Sequence, residues 1–196
     1  DDLIVKQTNP TLAIYARRGE IIIRITAKAV DATAATVMLD EEEAALRERL
    51  EKYIYGVDDE TLASYLGKKL LKQHKTISFA ESCTGGLASN LVTDIAGSSE
   101  YLIGSIVTYT NEAKHNLLKV KEETLNAYGA VSKETALEMA QGVRKLFGSD
   151  FGVGITGNAG PGGSEGKPVG LVYIAIATPD EVYCKEFNFT STRIEN

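Results

Sequence analysis

Cysteine and histidine are scarce in this chain. Cys83 and Cys184 are the only thiols and show no metal-like spacing, which fits a reducing cytoplasm. His74 and His115 lie far apart, so no structural zinc site is expected, and a Ser-His-Asp triad is hard to assemble. No apolar run approaches the roughly 20 residues that span a bilayer. Asp1-Asp2-Leu3-Ile4 lacks the basic and hydrophobic regions of a signal peptide, and no membrane partner is expected. Basic charge is not in surplus: 21 Lys and Arg face 27 Asp and Glu, giving a net charge of −6 and a pI near 5.1. That balance argues against general binding to a nucleic-acid backbone. Walker A and dinucleotide-binding spacings are missing too, which leaves a nucleoside triphosphate or NAD cofactor without support.

What is present is ordinary for a globular chain with a core: 196 residues, 43% hydrophobic and 24% charged. This length fits one medium domain, or one domain with a small appendage. Both ends read as cuts within a longer polypeptide.

Residues 1–30 read as extended segments. Glu20–Ala27 is the strongest strand, and Arg17-Arg18-Gly19 a turn before it. From Asp31 the period lengthens, with Ala35, Met38, Leu39, Ala45, Leu46, Leu50 and Tyr53 recurring at helical spacing. The run Thr36–Leu39 could be a strand by itself, but the longer period favours a helix. Gly56-Val57-Asp58-Asp59 marks a boundary, with Asp58 or Asp59 capping a helix through Leu71. Strands and helices then alternate: strand 76–81, helix 84–96, strand 102–109, helix 112–118 capped by Asn111, and a turn from Lys121. Helix 133–147 capped by Ser132, strand 151–156, and strands 169–177 and 182–189 around the Thr178–Glu181 turn complete the order. The pattern predicts an α/β fold: a mostly parallel sheet flanked by helices, with an antiparallel edge hairpin, plus a small N-terminal α+β unit.

Ligands of such sheets bind beyond the carboxyl ends of the strands, where three loops would meet. The first is Glu81-Ser82-Cys83-Thr84-Gly85-Gly86. Its hydroxyls could cap the following helix, or Ser82 could serve as a nucleophile beside N–H groups that favour an oxyanion. The second runs from Thr108 to Lys114. A solvated lysine is a poor base at neutral pH; one buried near other positive charge could lose its proton and activate a serine. The third, Thr156 to Gly163, is either a flexible connection or an anion-binding nest. A Cys83 nucleophile would face the same lack of a histidine partner, and Cys83 suits a small core residue. For covalent hydrolysis, Ser82 with Lys114 is the most economical pair.

The stretches A-E-S-C-T-G-G-L-A (80–88), D-I-A-G-S-S (94–99), V-T-Y-T-N-E-A-K (107–114), G-A-V-S-K-E-T-A (129–136), G-I-T-G-N-A-G-P-G-G (154–163) and K-P-V-G-L-V-Y (167–173) resemble the CinA (competence/damage-inducible protein A) family. Residues 57–196 are similar to its C-terminal domain, a nicotinamide-nucleotide amidase. Residues 1–56 resemble its KH-type linker region, with G-E-I-I-I-R-I-T-A (19–27) as a signpost. The resemblance implies hydrolysis of the carboxamide of nicotinamide mononucleotide, with Ser82 as nucleophile and Lys114 as base and with no cofactor or metal. Ser99, Tyr109, Thr156 and Arg193 match positions that hold substrate or order the site. Thr84, Gly85, Gly86, Gly157 and Gly160 would offer N–H groups to oxyanion or phosphate. A homodimer is implied as well. The KH-like part lacks a G-x-x-G loop, so a linker or dimerisation role is expected rather than RNA binding. Phe189-Thr190-Ser191-Thr192 stands where the family usually has a Gly-Asp pair before the arginine, and the family's C-terminal helix would lie beyond Asn196. The competing expectation is a non-catalytic nucleotide-binding or protein-interaction module in competence and DNA-damage responses.

Overall fold

The structure, a computed structural model, describes residues 2–17 and 19–196. The chain divides into two compact units, Asp1–Asp59 and Glu60–Asn196.

In the first unit, α1 (Asp2–Val5) is one helical turn where extended chain was expected. It packs on β1 (Thr11–Arg17), a tertiary contact that outweighs the weak strand preference of Ile4 and Val5. β2 (Glu20–Thr26) pairs antiparallel with β1, setting Leu12 against Ile25 and Tyr15 against Ile22. Arg18, in the predicted turn between them, lies outside the described residues. α2 (Ala32–Leu50) takes in Thr36–Leu39 as helix, and the Asp31 side chain caps it by accepting from the Ala34 N–H at 2.8 Å.

The second unit is built on a five-stranded sheet of order β4-β3-β5-β6-β7. The strands are β3 (Ile77–Glu81), β4 (Leu102–Val107), β5 (Phe151–Gly157), β6 (Leu171–Ala177) and β7 (Val182–Asn188). β3 runs parallel to both β4 and β5, while β6 is antiparallel to β5 and β7. α3 (Leu62–Gln73) and α4 (Leu87–Thr93) cover one face; α5 (Asn111–Leu118), α6 (Glu122–Tyr128) and α7 (Lys133–Phe147) cover the other. Alternation along β3 builds both cores. Ile77 and Phe79 pack with Leu70 and Val92, while Ala80 packs with Leu118, Met139 and Val143.

α7 lies close against β5 and β6. A Cβ at Gly152 would sit 2.2 Å from the Ala140 carbonyl oxygen, and one at Gly154 2.4 Å from that of Ala136. Ala136, Ala140, Ala175 and Ala177 complete this seam of small residues.

Several helix ends differ from expectation. Thr61, not Asp58 or Asp59, caps α3, exchanging hydrogen bonds with Ser64 at 3.1 and 2.9 Å. Asp58 has φ +54, a left-handed backbone instead of the extended one an N-cap needs. Thr110 rather than Asn111 caps α5, accepting from the Ala113 N–H at 3.1 Å. α4 is shorter than the expected 84–96, and residues 122–128 form a helix where a turn was read. Among the described residues, no helix is long and apolar enough to cross a membrane.

Candidate active site

The strand alternation that builds the core continues one step past β3. Ser82, like Ser78 and Ala80, faces α5 and α7, and its N–H donates to the Ile155 carbonyl at 3.0 Å. Lys114, on the first turn of α5, reaches it from that side. Its Nζ donates to Ser82 Oγ at 3.0 Å, to the Thr108 carbonyl at 2.9 Å and to the Tyr109 carbonyl at 3.3 Å. Lys114 is 1% exposed and Ser82 8%.

Burial pulls the Lys114 pKa down from 10.5 to about 8, with the nearby Cys83 and Glu165 acting weakly the other way. Among the described residues, no acidic side chain bonds its nitrogen; both fixed partners are main-chain carbonyls. In the neutral amine, two N–H bonds to those carbonyls would leave the lone pair aimed at Ser82 Oγ. That geometry suits proton abstraction from a serine. Burial pushes the Cys83 thiol up, although the positive charges of Lys114 and Arg193 act against this. Cys83 thus stays protonated near neutral pH, unlike a cysteine nucleophile.

The first loop offers fewer free N–H groups than its glycines suggested. Gly85 N–H donates to the Ser82 carbonyl at 3.1 Å, and Gly86 N–H to the Glu81 carboxylate at 3.1 Å. Both are therefore withdrawn as substrate donors. Among the described residues, the N–H groups of Cys83 and Thr84 donate to no oxygen and lie against the Cys83 sulfur, so Thr84 remains a candidate.

Thr156 follows the residue that accepts the Ser82 N–H. It is buried, and its hydroxyl donates to the Ala130 carbonyl at 2.7 Å. Gly157 serves the sheet: a Cβ there would lie 2.7 Å from the Leu171 carbonyl oxygen across the β5–β6 pair. Close strand approach, not ligand contact, explains that glycine.

The glycine-rich loop is tied down rather than free. Asn158 is buried and donates to the Lys167 carbonyl at 3.1 Å while accepting from Ser164 Oγ at 2.6 Å. Glu165 accepts from the N–H groups of Ala130 and Val131 at 2.8 and 3.2 Å. The reading of the sequence missed both residues. An asparagine ahead of an A-G-P-G-G run, able to close a loop on itself, was the available signal.

Arg193 reaches the site from the end of the chain. It donates to the Gly160 carbonyl at 2.5 Å and to the Tyr109 hydroxyl at 3.2 Å, and Tyr109 is itself 60% exposed. Ser99 is not brought here. It precedes β4 at that strand's amino end, roughly 20 Å from the loops at the carboxyl ends.

Comparison with known proteins covers nearly all of the chain. Residues 59–196 match the model of the CinA C-terminal domain, and residues 1–56 that of the damage-inducible protein CinA KH domain. A competence-damage inducible protein of Bacillus pumilus is 48% identical over 193 residues, 98% of this chain and 46% of that protein. Its counterpart from Moorella thermoacetica is 50% identical over 191 residues, covering 97% and 46%. The chain thus spans about half the length of the curated relatives it matches. The crystal structure of a competence/damage inducible protein from Agrobacterium tumefaciens superposes with a TM-score of 0.67 at 43% identity, covering 72% of this chain and 88% of that one. With both segments matched in order and the sheet shared with solved relatives, the chain belongs to the CinA family.

Proposed function

We propose that residues 57–196 form a nicotinamide-nucleotide amidase that converts nicotinamide mononucleotide to nicotinic acid mononucleotide and ammonia. One observation carries this reading: a buried lysine, with its pKa lowered to about 8, lies 3.0 Å from the hydroxyl of a serine at a strand end. A carboxamide is unreactive, so its hydrolysis needs an activated nucleophile and a stabilised oxyanion.

Neutral Lys114 takes the Ser82 proton as Oγ bonds to the carboxamide carbon. The negative charge moves to the carboxamide oxygen, where the Cys83 and Thr84 N–H groups receive it. Lys114 then hands its proton to the departing nitrogen, the C–N bond breaks, and ammonia leaves a nicotinoyl ester on Ser82. Water, deprotonated by Lys114, attacks that ester. Breakdown returns the proton to Ser82 and releases the carboxylate product. Arg193, with Tyr109 and the glycine-rich loop, is assigned to the substrate phosphate by charge and donor geometry.

The test is direct: incubate the protein with nicotinamide mononucleotide and measure ammonia. Stoichiometric release of ammonia with nicotinic acid mononucleotide is expected. Nucleotide binding without ammonia would favour a non-catalytic sensor.

A further inference from the structure

Glu81 comes immediately before the nucleophile and is completely buried, yet it contributes nothing to the proton transfers above. Its side chain points to the opposite face of the sheet from Ser82, toward α4. There Oε2 accepts from the N–H groups of Gly86 and Ala88, each at 3.1 Å. Oε1 accepts from the Ser89 N–H at 2.9 Å and the Ser89 hydroxyl at 2.8 Å. Ser105 Oγ, on β4, donates in turn to Ser89 Oγ at 2.9 Å. α4 has no side-chain cap of its own, because Gly86 occupies the cap position. Glu81 fills that role from the strand. Burial raises its pKa, but the neighbouring Thr84 hydroxyl, followed by the hydrogen bonds from Ser89 and Ala88, more than offsets this, so it remains a carboxylate.

The Glu81 main chain works on the other partner. Its carbonyl accepts the Thr108 N–H at 2.9 Å, and the Thr108 carbonyl is one of the two that orient Lys114. One residue therefore anchors the turn that carries the nucleophile and the segment that aims the base.

We propose that Glu81 is a positioning residue: by occupying the amino end of α4 it fixes the Ser82 turn and leaves only the Cys83 and Thr84 N–H groups for the oxyanion. This rests on the amidase reading. The α4 terminus is closed to an incoming phosphate, which must bind elsewhere in the site.

The experiment compares wild type, Glu81→Gln, Glu81→Asp and Ser89→Ala by two readouts. The first is kcat and KM for nicotinamide mononucleotide. The second is the rate at which phenylmethanesulfonyl fluoride modifies Ser82, which needs no nucleotide recognition. Displacing a nucleophile by about 1 Å costs on the order of 100-fold, so Glu81→Gln should lower kcat and the sulfonylation rate together by about that factor, with KM within about 3-fold. Ser89→Ala, which removes one of the bonds, should fall between that variant and wild type. A folded Glu81→Gln protein with wild-type kcat, or with a changed KM alone, overturns the proposal. Should Glu81→Gln fail to fold, unchanged kcat in both Ser89→Ala and Glu81→Asp overturns it instead. If wild type releases no ammonia but Glu81→Gln still slows sulfonylation, only the amidase reading falls.

Discussion

Lys114 Nζ meets Ser82 Oγ at 3.0 Å, and among the described residues its other hydrogen-bond partners are the carbonyls of Thr108 and Tyr109. An ammonium ion in this place has three acceptors but no countercharge in contact, so burial dominates and its proton is loosely held.

Activity should therefore follow the neutral amine. kcat/KM is expected to rise about tenfold per pH unit below pH 8 and to level off above it, as a single group with a pKa of about 8 requires. The same group makes folding pH-dependent. Its pKa is 10.5 when unfolded and about 8 when folded, so the unfolded chain binds the extra proton between those values. Stability from this group is flat below pH 8 and increases toward pH 10.5 by about 3 kcal/mol. Urea titrations across that range, with Lys114→Gln losing the slope, check the sign.

Removing the nucleophile should separate binding from chemistry. Ser82→Ala is expected to lower ammonia release by about 1,000-fold or more while nucleotide affinity, read by calorimetry, stays within about 3-fold. Activity that survives this change would move the nucleophile to Cys83.

Arg193→Ala should raise KM about 10- to 100-fold with little effect on kcat, the size expected for one charge-assisted hydrogen bond. Tyr109→Phe removes only the hydroxyl that accepts from Arg193, so its KM should shift by a few-fold. Steady-state kinetics on both variants test the ordering.

Asp150 joins the start of β5 to the segment entering β3. It accepts from Lys75 Nζ at 2.8 Å and from the Thr76 N–H and hydroxyl at 2.9 Å each. The Lys75 bond leads in lowering its pKa from 3.8 to about 2. Its stabilisation is complete above the unfolded value and is lost as pH falls through the folded one. Asp150→Ala should cost about 1–3 kcal/mol in denaturant unfolding, leaving kcat per folded molecule unchanged.

The turn at Ser82 and the lysine on α5 were legible because each sits where strand periodicity gives way to helical periodicity. The burial of Lys114 was not, since a lysine in the first turn of a short helix reads as solvated until α7 and the sheet close over it. Glu81 was hidden for the same reason: a carboxylate ending an apolar strand suggests the strand has reached water. The clue was a helix that opens on Thr-Gly-Gly with no acceptor of its own at the cap. Caps at Thr61 and Thr110 were misplaced by one to three residues because Asp58 and Asn111 have equally suitable side chains, and only backbone angles choose between them. Ser99 failed differently: it was carried over from the family resemblance, although a residue that precedes β4 lies at that strand's amino end, away from the loops at the carboxyl ends.

The alanine and glycine seam under α7 has a mechanical implication. Spacing between helix and sheet is set there by methyl groups and bare α-carbons, so the helix behaves as a tight shim. Just ahead of its first turn lie Ala130 and Val131, which hold Thr156 and Glu165 on the far side. A single bulkier residue at Ala175 would lever that shim outward and loosen the glycine-rich loop without touching any reacting group, making the underside of the sheet a remote point of adjustment for substrate fit.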